Sequence, residues 1–322
     1  MNQSMWHASG SNAAHIQELA IFFGLLLGVI FLIVIGLALL SLRRRHRGIG
    51  QEPLEGSHHP STATEAKLRT AVSIATAITV LILLGLTIVS VSVGKIVSAS
   101  VAPAGSLTID VTGTQWWWKV RYATDDPSGI LLTANEIHIP VGRPIAIRGN
   151  SEDVIHSFWV PSLQGKRDLI PGRPTLEWLQ ADHPGEYRGQ CAEFCGIQHT
   201  HMAFWVIAEP PDQFNSWMDH QLQPAAEPAD DEAIHGQEIF LKSACILCHA
   251  IRGTIAAAQV GPDLTHFGSR KTIAAGTLAN TKGNLAGWIA DPQNIKPGTH
   301  MATVALQPAE MQPLIDYLES LK

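Results

Sequence analysis

Apolar and polar positions along this chain fall into three successive textures. Ile21 to Leu40 reads IFFGLLLGVIFLIVIGLALL, an unbroken apolar run of the length a helix needs to cross a bilayer. A second run, from Ala71 to Val93, contains no charge, and Lys95 stands at its end where its amine can snorkel. These runs predict a transmembrane helical hairpin within residues 1–98, with spans at about 21–42 and 70–93. The segment before the first run has no Lys or Arg, and the run exceeds the ~7–15 residues of a signal-peptide core, so an uncleaved helix is expected. Arg43, Arg44, Arg45, Arg47, Lys67 and Arg69 crowd into the connection, which the positive-inside rule assigns to the cytoplasm. Everything after about residue 96 is then extracytoplasmic.

From Leu107 the pattern changes to short alternating or β-branched runs broken by Gly and Pro. Examples are Leu107-Thr108-Ile109-Asp110-Val111, Glu136-Ile137-His138-Ile139, Pro144-Ile145-Ala146-Ile147 and His156-Ser157-Phe158-Trp159-Val160. Strands at this spacing predict an all-β sandwich or barrel over residues 99–222. Pro210-Pro211 closes it, followed by a short helical stretch from Phe214 to Leu222. Residues 223–231, QPAAEPADD, are rich in Pro, Ala and acid and read as a linker. The third texture, residues 232–322, has helical periodicity over Ile234–Leu241, Asn284–Ala290 and Pro313–Leu321. A net charge of −6 excludes a nucleic-acid partner, because the one concentrated basic run serves topology.

All four cysteines sit in two short motifs, and each motif carries chemistry. Cys245-Ile246-Leu247-Cys248-His249 is a complete C-x-x-C-H sequence. Its thiols can add to the two vinyl groups of a haem, and the adjacent His249 supplies one axial ligand to the iron. A zinc site would need a second ligand pair nearby, which this segment lacks. A redox dithiol would need βαβ patterning, and this segment is helical. The far axial ligand is expected from Met301, in the Pro/Gly-rich loop Lys296-Pro297-Gly298-Thr299-His300-Met301. His300 is the nearer rival, and Met311 opens the last helix, where a core role is expected.

The second motif is Cys191-Ala192-Glu193-Phe194-Cys195-Gly196-Ile197-Gln198-His199-Thr200-His201-Met202. Two thiolates, an imidazole and a thioether in one short loop form a soft donor set that selects copper over hard cations. Two thiolates can bridge a pair of copper ions and spread one unpaired electron over both. A further imidazole must come from elsewhere, and His156 lies on a strand of the same β region. A Cys191–Cys195 disulfide is the plain alternative, but it leaves the spacing of His199 and Met202 unexplained.

The stretch from the hairpin to about residue 220 resembles cytochrome c oxidase subunit II, through C-x-E-x-C-x-x-x-H-x-x-M, the His156 strand and Lys166-Arg167-Asp168-Leu169-Ile170-Pro171-Gly172-Arg173. Residues 232–322 resemble class I cytochrome c. Here the matches are Gly236, Phe240, Gly261-Pro262-Asp263-Leu264, the Pro-Gly-x-x-Met loop and Tyr317-Leu318. These resemblances imply a cupredoxin-like Greek-key barrel and an all-α cytochrome c domain behind the membrane hairpin. They also imply that His156 and His199 each ligate one copper of a dinuclear CuA site, that Cys191 and Cys195 bridge both, and that Met202 is axial. Glu193 is implied to offer its carbonyl to copper and its carboxylate to a magnesium ion bordering subunit I. Trp116, in Thr114-Gln115-Trp116-Trp117-Trp118, corresponds to the point where electrons come in; Trp117 and Trp118 are equally consistent with ordinary packing. Lys119 and Arg121 stand where relatives carry acids, which implies altered docking of a lysine-rich donor; Glu152 and Asp153 remain on another loop.

The whole pattern implies a subunit of a respiratory haem-copper oxidase. Electrons would pass from an external cytochrome c or other donor to covalent haem c, to CuA, and to haem a of subunit I, where oxygen is reduced with proton pumping. Subunit I and subunit III are the implied partners, in the inner membrane of a bacterium with both metal domains on the periplasmic side. Two rivals stand at this stage, a CuA-type nitric oxide reductase subunit and a membrane-anchored copper-delivery protein. The second would have a thioredoxin-like fold and no need of Met202 or a fused cytochrome.

Overall fold

The computed structural model describes residues 3–48, 62–98, 102–123 and 130–322. Helix α1 spans Ser11–Gly48 and α2 spans Thr62–Val97, so the two apolar runs lie within them. At 1.5 Å per residue each exceeds a ~30 Å hydrocarbon core. Large apolar side chains from Ile21 to Leu42 and from Leu68 to Ile96 are exposed along their lengths, as a lipid-facing surface requires. Two hydroxyls on α2 bond back one turn, Thr79 to the Ala75 carbonyl at 2.9 Å and Thr87 to Leu83 at 2.8 Å, so these donors are met within the helix. The basic connection between the helices, 49–61, lies outside the described residues.

A second compact unit comprises the β domain, the helical module and the N-terminal residues up to Ala14. The β domain is two five-stranded sheets. One contains β1 (Leu107–Thr114), β2 (Trp117–Tyr122), β3 (Leu131–Ala134), β5 (Ile145–Ser151) and β8 (Thr175–Leu179), in the order β3-β2-β1-β5-β8. The other contains β4 (Glu136–Pro140), β6 (His156–Trp159), β7 (Arg167–Leu169), β9 (Gly185–Cys191) and β10 (Ala203–Glu209), in the order β4-β10-β9-β6-β7. Each sheet has one parallel pair, β1 with β5 and β10 with β4; its other pairs are antiparallel. Alternation sorts the faces: on β1, Ile109, Val111 and Gly113 are buried while their neighbours are not. The core between the sheets is aromatic, with Trp118, Phe158 and Phe204 in mutual ring contact at 4.5 to 5.9 Å. Trp118 is therefore packing. Helix α3, Pro211–Gln221, follows the last strand.

The sequence pattern did not suggest that the first residues join this unit. The Ser9 amide donates to the Ser162 carbonyl at 2.7 Å, and Asn12 Nδ2 donates to Trp178 O at 3.0 Å.

The helical module opens with α4, Asp231–Lys242, whose N-terminus is capped by Asp230 accepting from the Ala233 amide at 2.8 Å. It continues through α5 (Lys282–Ala290), α6 (Pro292–Ile295) and α7 (Pro308–Ser320). Helix α7 starts five residues before the Pro313 start read from periodicity. Pro308 takes the first helical position, where no N–H is needed, and the Glu310 carboxylate accepts from the Gln307 amide at 2.7 Å. Pro313 sits near enough to that start to be tolerated. Helices α4 and α7 cross at Gly236, where a Cβ would stand 2.0 Å from the Pro313 carbonyl oxygen. Phe240, Ile251, Leu314 and Tyr317 form the core of this module.

Candidate functional site

Strands β9 and β10 end at a common point, and the loop between them carries most of the soft donors. Cys191 is the last residue of β9, and its amide donates to the Met202 carbonyl at 2.9 Å, closing the loop at its base. Within it, Gly196 adopts φ +114°, and a Cβ there would lie 3.0 Å from both Gln115 Nε2 and the Trp116 ring, so only glycine admits that approach. His156, the first residue of β6, comes from the neighbouring strand.

These elements bring five donors together. Cys191 Sγ stands 3.8 Å from His156 Nδ1 and 3.7 Å from Cys195 Sγ. Cys195 Sγ stands 3.6 Å from His199 Nδ1 and 3.9 Å from Met202 Sδ. The cysteines are separate thiols rather than a cystine. Glu193 turns its carbonyl towards the sulfurs, 3.2 Å from Cys191 Sγ, while its carboxylate points away to Lys166 Nζ at 3.6 Å. His201 faces elsewhere, with Nδ1 against Gln198 Oε1 at 2.8 Å.

Electrostatics favour a thiolate. The hydrogen bond from the Cys195 thiol lowers Cys191 far below the ordinary thiol range and raises Cys195, with His156 adding to the effect on Cys191. His156 is fully buried, and its Nε2 faces Asp153 Oδ1 at 2.8 Å. Because a carboxylate only accepts, Nε2 carries a proton, and Nδ1 is the ring nitrogen turned towards the sulfurs. Asp153 also accepts from the Gln115 and Val154 amides, both at 2.6 Å. Burial alone would raise this carboxyl, but these bonds outweigh it and the net direction is down. Asp153 thus orients the His156 ring, as a carboxylate does behind a metal-binding histidine, a role that residue spacing missed although the signal, Asp three residues before His, was present. Two thiols, two imidazoles, a thioether and a carbonyl converging in a buried pocket fit copper.

The second site is a cavity of about 370 Å³ lined by Cys245, Cys248, His249 and Met301. His249 Nδ1 donates to the Pro262 carbonyl at 2.7 Å, which fixes the ring and leaves Nε2 free to ligate. Burial holds this imidazole below its ordinary pKa, in the neutral form that a metal requires. Gly261 lets the backbone pass close by, since a Cβ there would be 2.8 Å from His249 Cε1. Gln293 Nε2 donates to the carbonyls of Thr299 at 2.7 Å and Met301 at 3.0 Å, shaping the loop that carries Met301. His300 lines the cavity as well; Met311 packs against the module's core. An apolar slot with paired thiols, a fixed imidazole and a thioether fits a haem.

The cavity is not closed within the helical module. Gln115, Trp116 and Trp117 of the β domain form part of its wall. Trp116 is buried, and its indole Nε1 donates to the Cys195 carbonyl at 2.9 Å, an oxygen that Gln115 Nε2 also meets at 2.7 Å.

Comparison with known proteins places both halves. A family model described as cytochrome c oxidase subunit II, periplasmic domain, matches residues 124–209, and a cytochrome c model matches 233–322. A cytochrome c oxidase subunit 2 from Alkalihalophilus pseudofirmus is 34% identical over 97% of this chain and 89% of its own length. The chain belongs to the cytochrome c oxidase subunit 2 family. The subunit 2 of Bacillus sp. strain PS3 is also 34% identical, over 67% of this chain and 63% of its own length. A crystal structure of the periplasmic domain of subunit II of cytochrome oxidase from Bradyrhizobium japonicum shares 31% identity over 38% of this chain and 96% of that one, with a TM-score of 0.35. Membership implies copper on the β domain, haem on the helical module and a subunit I as partner. With two long apolar helices it also points to a membrane-anchored chain.

Proposed function

We propose that this chain is the electron-input subunit of a respiratory haem-copper oxidase. In this reading it passes electrons from haem c through CuA to haem a of subunit I, where oxygen is reduced to water with proton pumping. The observation that carries the reading is the position of Trp116. One face of this single side chain borders the cavity holding the C-x-x-C-H motif, and its N–H meets the backbone of Cys195.

Cys245 and Cys248 would hold the haem covalently, and His249 and Met301 would offer its iron an imidazole and a thioether. Cys191, Cys195, His156, His199, Met202 and the Glu193 carbonyl would together hold a pair of copper ions. The two cofactors supply reversible one-electron carriers, and the chain supplies rigidity. Strand ends fix His156, Cys191 and Met202, and Asp153 fixes the ring of His156, so little rearrangement accompanies a change of charge. Trp116 would bridge the centres, lining the haem cavity on one side and hydrogen-bonded to the Cys195 backbone on the other. The Glu193 carboxylate, 43% exposed beside Lys166, would be the ligand offered to a magnesium ion at the border with subunit I. The basic connection between the helices supports a periplasmic position for the metal domains at a bacterial inner membrane, where subunits I and III and an external cytochrome c or other donor would be the partners. The two-sheet sandwich speaks against a thioredoxin-like copper-delivery protein.

Purification from native membranes tests this reading. The expected result is a haem-copper subunit I in the same complex, a mixed-valence two-copper EPR signal, and haem that stays with this chain on denaturing gels. A cystine at 191 and 195 in a copper-replete complex, or a single labile Cu(I), would refute it.

A further inference from the structure

Lys296 has no task in the scheme above, yet it is among the most deeply placed charges in the molecule. Its side chain is 2% exposed, and Nζ donates to three backbone carbonyls: Trp116 at 2.8 Å, His201 at 2.6 Å and Ala274 at 3.0 Å. An ammonium has three N–H donors, and all three are used. Trp116 precedes β2, and His201 lies in the β9–β10 loop beside Met202; Ala274 belongs to the helical module. The single cation therefore ties the Met301 loop and the 272–279 hairpin to the β domain at two points flanking the sulfur cluster. Burial lowers its pKa to about 7, against the opposing pull of Cys195.

Other contacts run along the same seam. The Ala203 amide, at the start of β10, donates to the Ala275 carbonyl at 3.0 Å. Gln198 Nε2 donates to Pro297 O at 2.9 Å, and the Lys271 amide donates to Glu136 Oε1 at 2.8 Å. Gly276 and Gly298, at φ +74° and +83°, let backbone lie flat against Ala203 and against Ile197 and Trp116. Trp116 itself is only 7% exposed beneath this cover.

We propose that Lys296 is the positioning residue that seats the cytochrome module over the Trp116 face of the copper domain. The module is then a fixed, built-in donor, and an external electron donor docks on the cytochrome module because the tryptophan is covered. This inference rests on the function proposed above.

The Ala203 amide is a direct reporter, since its acceptor lies across the seam. In the intact complex, Lys296→Met removes the charge and its three bonds while keeping the length of the side chain. Hydrogen–deuterium exchange at Ala203 is expected to rise about 10- to 100-fold, while the Val206 and Tyr187 amides within the β9–β10 ladder keep their protection. Flash-initiated electron transfer from haem to copper is expected to slow or become biphasic, with both optical spectra unchanged. Unchanged exchange at Ala203 together with an unchanged transfer rate would overturn the proposal. A lost copper spectrum with the seam still protected would also overturn it, because Lys296 would then be a prop for the ligand loop. Lys271→Glu, a surface reversal against Glu186, is expected to loosen the same seam with no risk to the core, and full protection in that variant would count against the proposal. If the wild-type complex lacks the copper or haem spectrum, the functional reading has failed before any variant is made.

Discussion

Gly113 tests whether the position of His156 is set by packing. It faces inward on β1, paired with Trp118 on β2 and Ser151 on β5. A Cβ at this position would stand 2.7 Å from His156 Cδ2, 2.9 Å from Cγ and 3.1 Å from Cβ. Ordinary contact begins at 3.4 Å, so Gly113→Ala asks the imidazole to retreat by about 0.7 Å. The ring has nowhere to go, with Trp118 edge-on at 6.1 Å between centroids and Asp153 holding Nε2. Overpacking of this kind costs about 1–3 kcal/mol. The functional effect should exceed that, because metal–ligand distances tolerate only about 0.2 Å. Copper per chain, the copper EPR signal and thermal unfolding would be measured on the purified complex. The control is Gly149→Ala, where a Cβ meets Thr175 Oγ1 at 2.8 Å and Leu169 Cγ at 3.0 Å but no ligand. Both variants should lose comparable stability, and only Gly113→Ala should lose or alter copper. A Gly113→Ala protein with wild-type copper content and EPR signal would refute the claim that this strand locates the histidine.

Two further outcomes follow from carboxylates of the β domain. Glu177 on β8 is fully buried, and burial drives its pKa up to about 8 from an ordinary 4.5, despite Arg167. The folded state therefore keeps this proton while the unfolded chain releases it, so stability falls as pH rises from about 4.5 to 8, by roughly 5 kcal/mol at most. Glu177→Gln should flatten that decline and raise the melting temperature more at pH 8 than at pH 5; parallel melting curves for the two proteins would contradict it. Asp153→Asn should weaken copper binding about tenfold or more in a competition titration, because the His156 ring loses its charged partner, and an unchanged affinity would remove Asp153 from the site.

Much of the candidate site was legible because its donor side chains are dense in sequence. Cys191 to Met202 is the tip of one antiparallel pair, so spacing along the chain is nearly spacing in space. Cys245 to His249 is a single turn. Strands such as Leu107–Val111 showed themselves by alternation, which one buried face imposes. What stayed hidden depends on contacts between distant segments. Asp153 reads as a surface acid until the sheet brings its carboxylate to Nε2 of His156. Lys296 reads as a loop lysine until two modules close around it. Local patterning also sees nothing of the tie between Ser9 and Ser162, since such a bond leaves no period in the residues around it.

The amide bond from Cys191 to Met202 has a consequence for biogenesis. Ladder hydrogen bonds hold both ends of the ligand loop, so its shape belongs to the polypeptide before any ion arrives. Loading can then be a late step, performed on a finished receptacle, and the order of events in building the enzyme need not begin with metal.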